Sequence, residues 1–442
     1  MQKKTKRFGP ALIIFSLTGQ IAWVVENMYF NVFIYKMFNA SAADIALMVQ
    51  ASAVAATLTT ILIGALSDRL GKRKIFMCAG YIAWGISILA FAFIRVDLIG
   101  SLFGMTVGAA SACISIVIIM DCVMTFFGST ANDAAYNAWL TDSTTEKNRG
   151  AAEGINAMMP LVAILVVFGG FMGFDLSKAE SWTVIYTVIG AAVFLIGILG
   201  FFIVDEGKAD PPDELGYLAT IAYGLRPAVF KKNRALYAAL GCFVIFNIAI
   251  QIFMPYLIIY YEKSLGMADY VLIMAPAIIL AAAVTAVYGR VLDRKGYERS
   301  VFLPLLLLFG GLLLLWLVPA IIPAEGLLMK APVFFGSLLM MSGYLSGMAV
   351  FGAEIRNCTP ERMAGRFQGL RIIAQVLIPG VIGPGIGAAV LKGAATITND
   401  DGTTSFLPNA NIFLAAAAVC TLLILLLVSG FRRSGKKSSG KM

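Results

Sequence analysis

The same ten-residue pattern occurs twice in the chain, each time directly after a long apolar run. Residues 64–73 read GALSDRLGKR and residues 289–298 read GRVLDRKGYE, so that Gly, Asp, Arg and Gly coincide when the two segments are aligned. A second pair of segments aligns at nearly the same separation, where residues 145–154 (TEKNRGAAEG) correspond to residues 360–369 (PERMAGRFQG). Two landmarks in the same order at nearly one separation predict an internal duplication.

Apolar runs of membrane-spanning length fill most of the remaining sequence. The 442 residues are 60% hydrophobic and 13% charged, whereas soluble domains are about 45–50% apolar and about 25% charged. Runs of about 20 apolar residues cross the hydrocarbon core of a bilayer as helices. The twelve predicted spans cover residues 9–35, 44–66, 75–94, 112–140, 151–173, 182–204, 235–261, 270–289, 301–322, 332–352, 367–391 and 411–431.

With the duplication, these spans predict an all-α membrane protein made of two pseudo-symmetric six-helix bundles. We expect the first bundle at 1–204, a cytoplasmic linker at 205–234, and the second bundle with a basic tail at 235–442. The small-residue stretch 95–111 has no clear assignment: it extends span 3 or span 4, or lies at the membrane interface.

The positive charges predict the orientation. Of the 34 Lys and Arg residues, 28 lie in the two termini and the gaps on one side of the predicted membrane, and six lie on the other. Because cytoplasmic loops carry the excess of Lys and Arg, both termini are expected in the cytoplasm of a multi-pass cell-membrane protein. This distribution explains the net charge of +9 without a nucleic-acid partner.

Several classes of chemistry are disfavoured by composition. The chain has no histidine, which excludes His metal sites and His-dependent nucleophilic triads. Its six cysteines form no C-x-x-C pair and lie mostly inside apolar runs, where we expect them to pack. We therefore expect no enzyme activity, no cofactor and no metal.

The loop at 64–74 resembles the cytoplasmic signature of the major facilitator superfamily, G-x-x-x-D-R-x-G-R/K-R/K, and residues 289–299 resemble its second copy. The segment 142–150 is similar to the acidic-then-Arg-Gly loop of that superfamily. Spans 4–5 and the loop 357–371 look most like the glycoside–pentoside–hexuronide cation symporters and the sucrose transporters. The resemblance implies a rocker-switch fold with a central cavity between the halves.

Two features depart from these branches. Span 2 has no acid in its middle, where the melibiose-type symporters carry aspartates for the coupling cation, and Asn137 stands where the sucrose transporters carry an arginine. The coupling ion is therefore expected to be a proton rather than sodium.

Acidic residues inside the spans are the candidate coupling groups, because a charge at a helix centre is costly unless it faces a cavity or a partner. Glu26 in span 1 and Asp121 in span 4 are equally far along the chain from the predicted outer ends of their spans, at 35 and 112. Since a helix rises by about 1.5 Å per residue, both acids are expected at one depth, where they can share a proton or cation. Asp133 is the third candidate.

Helical periodicity predicts polar stripes for solute binding. In the first half these are Gln20, Trp23 and Asn27 on span 1, and Thr125, Asn132 and Tyr136 in register with Asp121 on span 4. The candidates in the second half are Asn247, Gln251, Tyr344, Arg371 and Gln375. Amide, hydroxyl and aromatic groups of this kind suit a neutral hydroxylated solute.

A third set is expected to control conformation rather than to bind solute. Its members lie in the repeated cytoplasmic loops, and they are Asp68, Arg69, Gly71, Asp142, Arg149, Asp293, Arg294 and Gly296. Asp68 can pair with the neighbouring basic residues, and Gly71 permits a tight turn with positive φ. An ion pair that breaks between conformations would bias one of them.

Three functions remain open. The first is a cation-coupled symporter of a sugar, glycoside or similar solute, working by alternating access. The second is a proton-coupled exporter of amphipathic compounds, and the third is a non-transporting receptor of the same fold. In each case the expected surroundings are the lipid bilayer, and we expect a monomer.

Overall fold

The computed structural model describes residues 2–104, 107–144, 149–206, 223–321, 327–360, 364–399 and 402–439. Within these ranges, twelve helical stretches are long and apolar enough to cross a membrane, which confirms the twelve predicted spans. Their ends differ from the predicted ends by a few residues, because flanking polar residues continue several helices beyond the apolar run. Span 10, for example, is the helix Leu327–Cys358 rather than residues 332–352.

The described chain divides into two compact units. The first comprises Met1–Gly224 together with Asn399–Ser405, and the second comprises Leu225–Thr398 and Phe406–Met442. Part of the predicted linker, residues 207–222, lies outside the described residues. The rest of it includes a 3₁₀ turn, Tyr223–Leu225, and a short helix, Pro227–Lys232.

The first unit holds spans 1 to 6. In order, their segments are Gln2–Val24, Val25–Tyr29 and Phe30–Phe38 (span 1), Ala42–Leu70 (span 2), Arg73–Phe91 (span 3), Ala109–Gly128, Ser129–Tyr136 and Asn137–Ser143 (span 4), Arg149–Phe171 (span 5) and Ala179–Ile203 (span 6).

The second unit holds spans 7 to 12. Their segments are Arg234–Phe253, Met254–Tyr256, Leu257–Ile259 and Tyr260–Ser264 (span 7), Val271–Lys295 (span 8), Tyr297–Ser300 and Phe302–Ile321 (span 9), Leu327–Cys358 (span 10), Ala364–Ile372, Ile373–Leu377 and Ile378–Val390 (span 11), and Asn411–Ser439 (span 12).

The two units pack their helices in corresponding pairs. In the first unit span 3 contacts spans 4 and 6, span 1 contacts spans 5 and 6, and span 2 contacts span 4. In the second unit span 9 contacts spans 10 and 12, span 7 contacts spans 11 and 12, and span 8 contacts span 10. Adding six to each span number of the first set gives the second set, which is the pattern expected of duplicated halves.

Close backbone approach holds some of these pairs together. A Cβ added to Gly85 of span 3 would lie 2.6 Å from Phe194 Cα and 2.7 Å from the Gly190 carbonyl oxygen of span 6. Such contacts are typical of membrane helix pairs, where small residues let the backbones meet.

Four stretches of the described spans are π-helical rather than α-helical. They are Val25–Tyr29 in span 1, Ser129–Tyr136 in span 4, Tyr260–Ser264 in span 7 and Ile373–Leu377 in span 11. A π turn inserts one residue into the α-helical register and is frequent at functional sites. Glu26, Asp133 and Gln375 lie in three of these stretches.

Residues 95–111 contain a separate short helix, Val96–Phe103, and not an extension of span 3 or span 4. The helix exposes Leu98, Leu102 and Phe103 and buries Ile99. An apolar surface of this kind on a helix between two spans fits a position at the membrane interface, one of the alternatives that the sequence leaves open.

A two-stranded hairpin precedes span 12, with strands β1 (Thr396–Thr398) and β2 (Thr404–Phe406). The side chain of Asn39, which ends span 1 with a left-handed backbone, donates to Thr403 Oγ1 at 2.8 Å. Its Oδ1 accepts from Asn399 and Ser405 at 3.0 and 2.8 Å. These contacts explain why Asn399–Ser405 belongs to the first unit.

Candidate functional site

Two carboxylic acids meet in the interior of the first unit. Span 1 ends at Phe38 and span 4 begins at Ala109. Glu26 and Asp121 are the same number of residues away from these two helix ends. Their exposed fractions are 7% and 1%, and Asp121 lies close enough to Glu26 for their negative charges to repel each other. The two acids that the sequence places at one depth are therefore neighbours inside the first unit.

Two hydroxyl groups bind Glu26. Ser52 Oγ of span 2 donates to Glu26 Oε1 at 2.7 Å, and Thr125 Oγ1 of span 4 donates to the same oxygen at 2.9 Å. The two hydroxyl oxygens are 2.9 Å apart. Spans 1, 2 and 4 thus bring three oxygen atoms into a triangle with every side at hydrogen-bond distance.

The number of protons in this triangle depends on the state of Glu26. Each hydroxyl supplies one proton, so an ionised Glu26 leaves two protons for three contacts. A proton on Oε1 lets Glu26 donate to one hydroxyl, which then donates to the second hydroxyl, which donates back to Oε1, so that all three contacts carry a proton. The oxygens lie 2.7 to 2.9 Å from one another, which is the separation of hydrogen-bonded groups.

One oxygen of each acid is unsatisfied. Glu26 Oε2 and Asp121 Oδ1 are buried and have no hydrogen-bond partner. The groups that act on the two acids within the described chain are hydroxyls and other acids, with no Lys or Arg among them. A buried ionised carboxylate without a counter-charge is costly, so this arrangement favours taking up a positive species.

Local backbone geometry explains how Glu26 is presented. The π-helical turn Val25–Tyr29 begins directly before it. Asn27 Nδ2 donates to the Trp23 carbonyl oxygen at 2.8 Å, and Asn31 Nδ2 donates to the Asn27 carbonyl oxygen at 3.1 Å. These side chains satisfy carbonyl groups at the irregular turn, as polar side chains do where a membrane helix is interrupted.

The stripe predicted on span 4 makes two kinds of contact. Asp121 and Thr125 belong to the acid cluster, whereas Asn132 and Tyr136, in the π-helical stretch, bind polar side chains of neighbouring helices. Asn132 Oδ1 accepts from Tyr81 Oη at 3.1 Å and packs on Gly19. That all four share one face stays a prediction: Thr125, Asn132 and Tyr136 each contact span 1, at Glu26, Gly19 and the Leu12 carbonyl oxygen respectively.

Tyr136 belongs to a separate polar contact. Its Oη donates to Asn156 Oδ1 at 2.9 Å, and Ser16 Oγ donates to the same oxygen at 2.5 Å. Asn156 of span 5 therefore joins spans 1 and 4. With Asn132 4% exposed and Tyr136 2% exposed, both residues link helices, although a solute-binding role for them stays a prediction.

The other candidates of the first unit are less buried. Asp133 accepts from Ser129 Oγ at 3.0 Å within the π-helical stretch. Trp23 is half-buried and tilted on Trp84, with ring centroids 5.0 Å apart. Gln20 is half-buried, and Asn27 is exposed.

In the second unit, Asn247 and Gln251 lie on span 7. Asn247 is buried and donates from Nδ2 to the Phe243 carbonyl oxygen at 2.8 Å. Gln251 is half-buried and packs directly on Gly383 of span 11. The half-buried residues Tyr344, Arg371 and Gln375 complete the predicted set.

A buried arginine organises the predicted gating loop. Arg73 at the start of span 3 pairs through Nη2 with Asp68 at 2.6 Å and through Nε with Asp142 at 2.9 Å. Its Nη1 also donates to Ser67 Oγ at 2.6 Å. Spans 2, 3 and 4 are thus joined at one end by a single guanidinium, as expected from its planar array of donors.

The turn around this arginine has the predicted geometry. Gly71 ends span 2 with φ +63°, and Gly296 of the repeat has φ +71°, a region that favours glycine. Arg69 and Arg294 are exposed. The side chains of Arg149 and Asp293 lie outside the described residues.

Sequence reasoning missed Glu206 in this cluster. Its carboxylate accepts from the backbone N–H groups of Arg73 and Lys74, the latter at 3.0 Å, and so satisfies donors at the start of span 3. A signal was present, since an acidic pair follows span 6 on the same predicted side of the membrane. In the part of the chain that the structure describes, no group of three or more Cys, Asp or Glu side chains is arranged to hold a metal ion.

Comparison with solved structures shows the same fold in several transporters. A mutant of the nucleoside transporter NupG superposes with a TM-score of 0.69 at 11% identity, covering 95% of this chain and 98% of that one. The xylose transporter XylE from E. coli gives a TM-score of 0.65 at 12% identity, with 95% of each chain covered. A bacterial homologue of the human lysosomal transporter Spinster, in an inward-facing and occupied conformation, gives 0.64 at 15% identity, covering 96% and 95%.

No curated protein matches the sequence. Residues 11–384, most of the chain and parts of both units, match the Major Facilitator Superfamily. The chain therefore belongs to this superfamily and is a multi-pass membrane transporter, not an enzyme.

Proposed function

We propose that the protein is a proton-coupled secondary transporter that carries a small hydroxylated solute, such as a sugar, glycoside or nucleoside, by alternating access in the cell membrane. Glu26 and Asp121 take up and release the coupling proton. The resemblance of spans 4–5 to the glycoside–pentoside–hexuronide symporters and sucrose transporters puts the chain near those branches in this proposal.

The observation that carries the proposal is the ring of oxygens at Glu26. Its three contacts contain one proton too few when Glu26 is ionised and the required number when it is protonated. Spans 1, 2 and 4 each contribute one oxygen, so a change in protonation alters the contacts among three helices. This is how a proton can bias one conformation over another.

The solute class follows from the candidate side chains. Amides, hydroxyls and the Trp23 ring bind polar hydroxylated molecules through hydrogen bonds and stacking. The descriptions of NupG as a nucleoside transporter and of XylE as a xylose transporter are consistent with a solute of this kind. Asn132 and Tyr136 also bind neighbouring helices, and their contact with solute stays a prediction.

The first experiment separates coupling from binding. Purified protein in liposomes is tested for solute accumulation driven by a pH gradient and for exchange of labelled against unlabelled solute. Glu26→Gln and Asp121→Asn are expected to abolish accumulation and to retain exchange, because an amide keeps the shape of the side chain but takes up no proton at neutral pH. The control is Glu180→Gln, since Glu180 is exposed at the start of span 6.

Normal pH-driven accumulation in both cluster variants would refute the coupling mechanism. A preliminary thermal-shift screen of sugars, nucleosides and organic acids, at two pH values with and without sodium, identifies the solute. If the solute raises the Tm only when sodium is present, and low pH has no such effect, the coupling ion is sodium and not a proton.

Two assays decide between the alternatives. An exporter would exchange protons for solute, so that in liposomes the solute accumulates only when the pH gradient is reversed, and a deletion strain would lose tolerance to amphipathic compounds. Binding without transport of any solute would indicate a receptor.

A further inference from the structure

Span 4 carries a polar side chain at every fourth position over much of its length. These residues, which we name the span 4 column, are Asp121, Thr125, Ser129, Asp133, Asn137 and Thr141. In a regular α-helix, positions four apart drift around the axis by about 40° per step. The π-helical stretch Ser129–Tyr136 has more than four residues per turn and drifts the other way, so it turns the later members back toward the face of the earlier ones.

Hydrogen bonds join successive members of the span 4 column. The Ser129 N–H donates to the Thr125 carbonyl oxygen, and Ser129 Oγ donates to Asp133 Oδ2 at 3.0 Å. Further along, Asn137 Nδ2 donates to the Asp133 carbonyl oxygen at 3.1 Å, and Thr141 Oγ1 donates to the Asn137 carbonyl oxygen at 3.0 Å. The column is therefore a continuous row of contacts from Thr125 to Thr141.

Exposure rises along this row. Thr125 and Ser129 are 1% and 0% exposed, Asp133 is half-buried, and the two members that follow it are exposed. The exposed members lie near the gating loop, on the side of the membrane that the positive charges predict to be cytoplasmic. Asp133 thus lies between the buried acid cluster and the exposed end of span 4.

Glu26 meets the span 4 column at Thr125. Thr125 Oγ1 donates to Glu26 Oε1 at 2.9 Å, and the charge of Asp133 repels that of Glu26. Ser129 lies one α-helical turn beyond Thr125, a spacing that puts the Cβ atoms about 5–6 Å apart. Two hydrogen bonds through one water molecule span about this distance. A single water molecule therefore completes a path from Glu26 to Asp133.

Asp133 has no fixed counter-charge among the described residues. The groups of neighbouring spans that interact with its charge are the Glu26 carboxyl of span 1 and the Tyr81 hydroxyl of span 3. Within span 4, Ser129 and Asn132 bind it through hydrogen bonds. None of these groups is a Lys or Arg, so Asp133 is not locked in an ion pair and can gain and lose a proton during a transport cycle.

We propose that Asp133 is a proton relay, which receives the coupling proton from Glu26 along the span 4 column and releases it to water at the exposed end of span 4. The inference rests on the proposed function of Glu26. Protonated Glu26 donates to Thr125, which turns its own proton toward the water molecule. The water donates to Ser129, and Ser129 donates to Asp133 Oδ2. A shift of one proton along each contact breaks the O–H bond of Glu26 and forms an O–H bond on Asp133, which leaves Glu26 as the carboxylate.

The test follows the proton itself and needs no solute. Purified full-length protein in detergent receives a pulse of protons from a photolysed caged compound, and time-resolved infrared spectroscopy records the carbonyl band of protonated carboxylic acids. The part of the band that is lost in Glu26→Gln or Asp121→Asn reports the acid pair. Asp133→Asn is expected to slow the rise of this part about a hundredfold and to leave its final size unchanged, since a positioned proton-transfer group contributes about 10²–10⁴-fold to a rate.

Chemical rescue separates a relay from a structural role. Formate is a small acid that can carry a proton to the half-buried position of Asp133→Asn, and it is expected to restore most of the rate. Ser129→Ala removes the hydroxyl that binds Asp133, so it is expected to slow the rise as well, and it carries the test if Asp133→Asn does not fold. The control is Asp175→Asn, the same substitution at a side chain that is 54% exposed, which is expected to leave the rate unchanged.

An unchanged rate in both Asp133→Asn and Ser129→Ala would overturn the relay, while a band lost in Glu26→Gln would still support the proposed function. A slow rise in Asp133→Asn that formate does not restore would also overturn the relay, because the substitution would then act through the structure. A band retained in full in both Glu26→Gln and Asp121→Asn would instead refute the proposed function, and the relay with it.

Discussion

Replacing Arg73 by Gln is expected to destabilise the first unit far more than replacing Asp68, the acid with which Arg73 makes its shortest ion pair. The Arg73 side chain is 7% exposed and pairs with Asp142, which is 11% exposed, and with Asp68, which is 63% exposed. Removing the guanidinium leaves the Asp142 charge largely out of water, and breaking such a buried pair costs about 3–5 kcal/mol. Removing the exposed Asp68 charge costs about 0–1 kcal/mol.

The assay is denaturant or thermal unfolding of the purified protein in one mild detergent at neutral pH. The variants are Arg73→Gln, Asp68→Asn and, as a control of equal charge change, Arg69→Gln at an exposed position. We expect a large loss of stability only in the first. The double variant Arg73→Gln, Asp142→Asn is expected to recover part of it, because the buried charge is then removed with its partner.

Equal destabilisation by Asp68→Asn and Arg73→Gln would refute this reasoning. So would a loss below about 1 kcal/mol in Arg73→Gln, since a buried ion pair that is broken on one side costs more than that. In either case the guanidinium would not hold spans 2, 3 and 4 together.

Two further predictions concern packing and pH. Gly85→Ala is expected to destabilise the protein by about 1–3 kcal/mol, because its Cβ would meet the span 6 backbone. Gly169→Ala is the control and is expected to be neutral, because nothing lies within 4 Å of its Cβ. Equal unfolding midpoints of the two variants would contradict this prediction. The hydrogen bond from Lys330 Nζ at 2.5 Å lowers the pKa of Asp269. The stability that this ion pair contributes is therefore present at neutral pH, and it is lost as the pH falls below about 4 and through the lowered pKa of Asp269. Asp269→Asn should therefore cost less than about 1 kcal/mol at pH 7, and the difference from the wild-type protein should shrink as the pH is lowered; a constant difference would show that the ion pair is not its cause.

The spans were predictable because length and apolarity decide them. A run that crosses about 30 Å of hydrocarbon must be helical, and charged residues mark where it ends. Gly71 and Gly296 were predictable in the same way, because a helix followed at once by another needs a sharp turn. The short helix Val96–Phe103 was not, since its eight residues give too short a pattern to separate it from the adjacent spans.

The acid cluster was predictable only in part. Counting residues along two helices placed Glu26 and Asp121 at one depth, but that the two acids face the same interior depends on how the helices pack. The hydrogen-bond partners of Asn132 and Tyr136 were not predictable, because a helical period does not say which side chains of other helices a face will meet. Ser52 likewise has no distinguishing pattern in the sequence, since which hydroxyl reaches Glu26 depends on how span 2 packs on span 4.

The duplication bears directly on the proposed role of Glu26. In the alignment that superimposes Asp68 on Asp293, Glu26 corresponds to Gln251. Both residues lie at an interruption of α-helical geometry: Glu26 is in the π-helical turn Val25–Tyr29 of span 1, and Gln251 shortly precedes the 3₁₀ turn Met254–Tyr256 of span 7. An amide is thus already accommodated at the equivalent place in the second unit, so Glu26→Gln introduces a side chain that this architecture carries next to a comparable turn. A loss of pH-driven accumulation in that variant would then result from the missing proton site and not from a collapsed helix, which is why retained solute exchange is the decisive companion measurement.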